Sequence, residues 1–166
     1  MKLRLPSPLG AITVHGDGGA ITRLRLGDPL SRDDFVHASC TSNLEQAVAD
    51  QIAAYFAGRL HRFDLPLAPQ GTAFERAVWH RLLDIPYGET ITYAEVAEAA
   101  GGVARAAGGA CGANPIPLII PCHRVVAASG LGGFSAPGGT ATKLWLLDHE
   151  RRHHPAPRQP RLPGFD

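Results

Sequence analysis

The chain has 166 residues, 45% of them hydrophobic, and a formal net charge of +1. That length allows one domain or two small ones sharing an interface, and the apolar share excludes a chain disordered over most of its length. The balanced charge excludes a strongly basic coat, although a local basic patch can exist within a small sum.

The elements predicted from the pattern begin with a hairpin. Ala11–His15 and Ile21–Leu26 have strand character, the second alternating apolar with polar, and Gly16-Asp17-Gly18-Gly19 between them is a turn signal. Leu44, Val48, Ile52 and Phe56 then recur every four residues, the stripe of an amphipathic helix that Gly58 closes. Leu65–Gly71 reads as a linker, which makes residues 1–67 one unit. A second unit, residues 71–150, opens with the capping box Thr72-x-x-Glu75 and a helix burying Phe74, Val78 and Leu82. Ile85-Pro86-Tyr87-Gly88 ends that helix. A second capping box, Thr92-x-x-Glu95, starts a short helix through Ala100 that Gly101-Gly102 terminates, and a further helix is expected from Val103 to Cys111. Two short helices across a glycine turn suggest a helix-turn-helix. Residues 143–150 read as a last short helix, and residues 151–166 as a basic, proline-rich, poorly ordered tail.

The second helix of that pair is unusual. Arg105-Ala106-Ala107-Gly108-Gly109-Ala110 carries one long cation and little else, and each glycine weakens a helix by roughly 1 kcal/mol relative to alanine. Small residues there admit close approach by another surface, either a neighbouring helix or a DNA groove.

Three cysteines, Cys40, Cys111 and Cys122, occur without a Cys-x-x-Cys pair, which argues against a disulfide framework and for a reducing cytoplasm. Met1–Pro6 has no secretory apolar region, and no stretch approaches a membrane-spanning length. One cysteine stands apart. Cys122 ends an apolar run and is followed at once by His123 and Arg124. A thiol attacks only as its thiolate, and basic neighbours favour that form, so the placement suggests chemistry rather than packing.

Pro121-Cys122-His123-Arg124-Val125 resembles the active-site motif of the O6-alkylguanine-DNA alkyltransferases, direct-reversal DNA repair proteins. Gly71–Glu75, Ile85–Thr90 with Thr92-Tyr93, Ala104–Ala110, Asn114-Pro115-x-Pro117, Gly133-Phe134, Lys143 and Leu146–Glu150 extend the resemblance in order and spacing. It covers residues 71–150 strongly and 1–67 weakly. It implies an α/β (α+β) fold: a small ribonuclease-H-like N-terminal domain, then a helical C-terminal domain with a helix-turn-helix. The implied activity is a suicide methyltransferase reaction. One alkyl group passes irreversibly from O6-alkylguanine, with O4-alkylthymine as a candidate second substrate, to Cys122 after base flipping.

The resemblance also implies roles by residue. His123, oriented by Glu150, deprotonates Cys122 through a water. An extended backbone at this point would put the two neighbouring side chains on opposite faces, which is why direct contact is not assumed. Tyr93 protonates the departing guanine. Arg105 fills the space left by the flipped nucleotide; Ala106, Gly109 and Ala110 allow close approach to the minor groove. Asn114 orders the turn near the thiol, and Val125, Phe134 and Ser135 contribute to the alkylguanine pocket. Arg124 makes structural hydrogen bonds. No cofactor and no metal are implied: the cysteines of the zinc site found in some members are missing from the first 39 residues. The partner is double-stranded DNA met by a cytoplasmic monomer, with no membrane. Two rivals remain at this stage, a non-catalytic lesion binder and a cysteine hydrolase. The stretch from Phe134 to Lys143 is longer than the family's short glycine loop, and Cys111 reads as a small core residue.

Overall fold

The computed structural model describes residues 1–35, 40–134, 136 and 138–154. Its first unit is a three-stranded antiparallel sheet, β1 (Lys2–Ser7), β2 (Gly10–Asp17) and β3 (Ala20–Asp28), in the order β1-β2-β3. The expected hairpin is β2 and β3. Strand β1 was not anticipated, because Pro6 interrupts a short pattern. Leu3 and Leu5 nonetheless alternate inward opposite Val14 and Ile12, and the proline sits on an edge strand, where a missing N–H is tolerated. Helix α1 (Asn43–Phe56) follows, capped by the Ser42 side chain. Its buried residues are Val48, Ile52 and Tyr55; Leu44 and Phe56 are only half-buried. The stripe therefore follows the mixed three-and-four spacing of a helix instead of a strict fourfold one.

The expected linker is not loose. The Ile21 N–H donates to the Pro66 carbonyl (2.8 Å) and the Ala68 N–H to the Ile21 carbonyl (2.8 Å), so this segment runs along β3. Helix α2 (Ala73–Leu82) then starts at the Thr72–Glu75 capping box, with both reciprocal bonds formed. It buries Val78, Trp79 and Leu82; Phe74, expected in the core, is half-buried against Gly102. After β4 (Ile91–Thr92), a second complete capping box starts α3 (Tyr93–Ala100), and Gly101 ends it at φ 83°, a left-handed cap that glycine adopts without strain. Helix α4 (Ala104–Gly112) completes the pair.

A turn over residues 113–121, buried from 118 to 121, leads to β5 (Val125–Val126), which pairs in parallel with β4. Helix α5 (Thr140–Arg152) closes the described chain. It runs past the boundary expected at residue 150, and the His153 Nδ1–H donates to the His149 carbonyl (2.8 Å), so the first residues assigned to the tail are ordered. Residues 155–166 lie outside the described part. One continuous core joins the sheet, α1 and the C-terminal helices. No helix among the described residues is long and apolar enough to cross a membrane.

Candidate active site

Cys122 sits where a chain would rarely stay without help. Asn114 ties the turn before it: its side-chain amide donates to the Ile120 carbonyl (2.8 Å), and its side-chain oxygen accepts the Ile116 N–H (3.0 Å). Between them Leu118 is buried at φ 76°, a left-handed conformation that disfavours a branched side chain. Strain of this kind persists only where surrounding bonds enforce it. Cys122, His123 and Arg124 then form a single 3-10 turn rather than an extended segment. The short β4–β5 ladder sets Ile91 against Val125 and brings Tyr93, the first residue of α3, beside this turn.

Behind the thiol, His123 and Glu150 are fully buried. The His123 Nε2–H donates to Glu150 Oε2 (2.7 Å), and His123 Nδ1 has no partner among the described residues. Arg124 donates to both carboxylate oxygens (Nε to Oε1 2.8 Å, Nη2 to Oε2 3.0 Å) and through Nη1 to the Ile85 carbonyl (2.8 Å). Its structural role matches the expectation. Burial alone would push the Glu150 carboxyl upward, but His123 and Arg124 outweigh it and hold Glu150 well below the ordinary range. Burial lowers His123, with Glu150 offsetting part of that, so the imidazole is neutral at neutral pH.

Cys122 opens onto a cavity of about 430 Å³ between Tyr93, Gly108, Gly133 and Phe134, with Cys111 on the same wall. Burial pushes the Cys122 thiol up to about 11, while an Asn114 hydrogen bond and the Lys143 charge pull the other way. Cys111 is pushed up to about 12 by burial and by the neighbouring Cys122. A slightly larger cleft, about 490 Å³, lies on the far side of Arg124 and contains no thiol. The three cysteines are free.

Lys143 has no exposed surface, yet its ammonium donates to the carbonyls of Val125 (2.6 Å) and Gly133 (3.1 Å) and to the Tyr93 hydroxyl (3.4 Å). Burial lowers its pKa and the two thiols raise it, which places its charge within electrical reach of both. The sequence offers no warning that this lysine is buried. Tyr93 itself is half-buried, and its hydroxyl also reaches the Gly133 carbonyl (3.5 Å). Val125 is buried and presents its carbonyl to Lys143; its side chain is not among those lining the cavity. Ser135 lies outside the described residues.

On α4 the outer face carries Arg105, Ala106 and Gly109, all exposed. Ala110, expected on that face, lies instead on the buried face with Ala107 and Cys111, and its carbonyl accepts the Trp79 indole N–H (2.8 Å). The two glycines are not explained by internal packing. A Cβ built at Gly109 meets no described atom within 4 Å, and one at Gly108 meets only Tyr93, at 3.9 Å. Among the described residues no group of three or more His, Cys, Asp or Glu side chains is placed to hold a metal ion.

These features define a two-domain α+β protein in which a thiol, backed by a buried histidine and carboxylate, opens beside a helix-turn-helix. The ribonuclease-like domain of 6-O-methylguanine DNA methyltransferase matches residues 4–69, and that family's DNA binding domain matches residues 73–152. The chain is 43% identical to the methylated-DNA–protein-cysteine methyltransferase of Mycobacterium bovis over 92% of its own length and 93% of the relative's. It is 41% identical to the methyltransferase of the same name from Methanosarcina acetivorans, covering 87% and 94% of the two chains. The crystal structure of Mycobacterium tuberculosis OGT in complex with DNA superposes with a TM-score of 0.78 at 44% identity, over 92% and 94% of the chains. The chain belongs to the 6-O-methylguanine DNA methyltransferase family.

Proposed function

We propose that this protein repairs DNA by direct reversal, moving one alkyl group from O6 of a flipped guanine in duplex DNA to Cys122, once per molecule. The observation that carries the reading is the alignment at the thiol. Cys122 lies in a cavity of a size suited to a small ligand, and His123 behind it is fixed through Nε2 while Nδ1 has no partner among the described residues. A water between Nδ1 and Sγ would carry the proton from the thiol to His123, and Glu150 would hold the imidazole tautomer and stabilise its charge. The thiolate sulfur attacks the alkyl carbon, the carbon–oxygen bond breaks, and its electron pair leaves with the guanine. Tyr93 at the cavity wall is the proton donor to that leaving group. Lys143 and Asn114 favour the thiolate. The carbon–sulfur bond formed is inert in water, so no second turnover follows, and no cofactor enters the balance.

The bare face of α4 supports docking in the minor groove. Glycines that nothing inside the protein requires leave room for a sugar–phosphate wall, and Arg105 would occupy the gap left by the flipped nucleotide. Asn114 sets the turn, and Phe134 bounds the base pocket. The protein acts as a monomer in the cytoplasm, where the free thiols of Cys40, Cys111 and Cys122 stay reduced. Mass spectrometry after mixing with duplex carrying O6-methylguanine tests the reading. The expected result is one methyl group on Cys122, with transfer lost and DNA binding kept in Cys122→Ala. An unmodified Cys122 in folded, reduced protein would overturn it.

A further inference from the structure

Glu150 accepts five hydrogen bonds from the described residues. Tyr55 Oη (2.7 Å), His123 Nε2 (2.7 Å) and Arg124 Nη2 (3.0 Å) reach Oε2, while Arg124 Nε (2.8 Å) and the Gly88 N–H (3.3 Å) reach Oε1. Four of these donors come from the half of the chain that bears the thiol. The fifth, Tyr55, comes from α1 in the first unit, 95 residues earlier in sequence. Its position is fixed at both ends by α5, because the His149 Nε2–H donates to the Tyr55 carbonyl (2.8 Å). Its ring is held by Phe63, stacked at 5.5 Å, and by the edge of Tyr87 at 6.2 Å.

We propose that Tyr55 is a positioning residue for alkyl transfer: its phenol, supplied by the N-terminal unit, holds Glu150 in place, shares its charge, and so sets the basicity of His123. This rests on the roles given above to Cys122 and His123. Tyr55 and His123 donate to the same carboxylate oxygen, so each takes up charge that the other would otherwise receive. Removing the phenol leaves more of that charge for the imidazolium and makes His123 harder to deprotonate. The groups facing the pair are accounted for. Arg124 and Lys143 oppose a charged imidazole, and Glu150 favours it. Cys122 is a neutral thiol at rest, and burial keeps His149, on the same helix as Glu150, neutral. Tyr87 is a neutral phenol whose buried hydroxyl makes no hydrogen bond to the described residues. Burial, then the Glu150 charge, raises Tyr55 well above its ordinary range, so it remains a donor at every working pH.

Tyr55→Phe deletes the hydroxyl and keeps the ring. Single-turnover transfer from O6-methylguanine duplex is measured across pH, first for the wild type. A wild type inactive at all pH values overturns the alkyl-transfer reading itself. With an active wild type, the acid limb of the Tyr55→Phe profile should move up by about half to one pH unit, with DNA affinity unchanged. Ile52→Val, one turn earlier on α1, loses packing without touching Glu150 and should leave the limb in place. An unshifted limb in Tyr55→Phe, or an equal shift in Ile52→Val, overturns the proposal. In the wild type, the Tyr55 hydroxyl proton should give a slowly exchanging NMR signal whose shift follows the His123 titration. A hydroxyl signal indifferent to that titration overturns the proposal even if Tyr55→Phe does not fold.

Discussion

Gly109→Ala should make the protein more stable and less active at once. Gly109 lies within α4 on its exposed face, and a Cβ there meets no described atom within 4 Å. Its backbone is not left-handed, so alanine fits without strain. Helix propensity then favours alanine by roughly 1 kcal/mol, which in a chain of this size raises Tm by about 2–4 °C. Duplex docked on the same face meets a methyl group where it met none. Overpacking of a close contact costs about 1–3 kcal/mol, or roughly one to two orders of magnitude in binding. The assays are calorimetry for Tm, single-turnover transfer from O6-methylguanine duplex at fixed salt, and reaction with free O6-benzylguanine, which needs no groove. The expected pattern is a raised Tm, slowed transfer from duplex and an unchanged rate with the free base. Wild-type transfer from duplex at a raised Tm would refute the assignment of this face to DNA. A lowered Tm would refute the claim that the space beside Gly109 is empty in the free protein.

Glu150→Gln should cost about 3–5 kcal/mol in a denaturant titration, because it leaves Arg124 and His123 facing an uncharged amide in a buried site; a loss near zero would mean the carboxylate is not the hub of the network. Lys143→Met should slow transfer several-fold at neutral pH and slow iodoacetamide labelling of Cys122, since a buried cation that favours the thiolate is gone; unchanged labelling would show that its charge does not reach the sulfur. Stability should fall as pH drops. His123 is lowered in the folded protein, so the unfolded chain gains protons first below the ordinary histidine range. Glu150 is lowered too, so a second loss follows below the ordinary carboxylate range. Calorimetry from about pH 8 to pH 2 should trace both losses, the His123 loss first and the Glu150 loss only below about pH 4.5, and a Tm that stays level over that window would contradict the buried pair.

What was legible in the sequence is what local chemistry dictates. The two capping boxes announced α2 and α3 to the residue, because a threonine and a glutamate three positions apart satisfy each other's backbone groups whatever lies beyond. The Gly101 stop and the hairpin turn are local in the same sense. Side chains whose burial depends on distant partners were not legible. Tyr55 falls three residues after Ile52, on the same stripe, but a fourfold count passes over it in favour of Phe56. Lys143 is a cation in a pattern that reads as solvated, and only the convergence of the Val125 and Gly133 carbonyls makes its burial tolerable. Trp79 needs the Ala110 carbonyl from α4 to satisfy its indole, a contact across 31 residues. The assumption of an extended backbone at Cys122 failed because the motif closes into a 3-10 turn. His123 Nδ1 nonetheless makes no hydrogen bond to a described residue, Cys122 included.

The resting protonation states fit a protein that can react only once. A low-pKa thiolate would be the faster nucleophile, yet it would also be open to every passing electrophile and oxidant, and each such event would destroy a molecule. Here burial keeps Cys122 a thiol, pushed up to about 11, beside a histidine that burial keeps neutral and therefore able to accept a proton. In the proposed mechanism the base is in place while the nucleophile is not yet formed. On that mechanism proton transfer would become favourable as the alkyl carbon takes up the sulfur's developing charge, so the lesion itself would confer reactivity. The same logic explains why the carboxylate is tied to both halves of the chain. An imidazole that must wait neutral and then carry a positive charge in a buried site needs a counter-ion that cannot move away, and bonds to Tyr55, Arg124 and Gly88 leave Glu150 no freedom to do so.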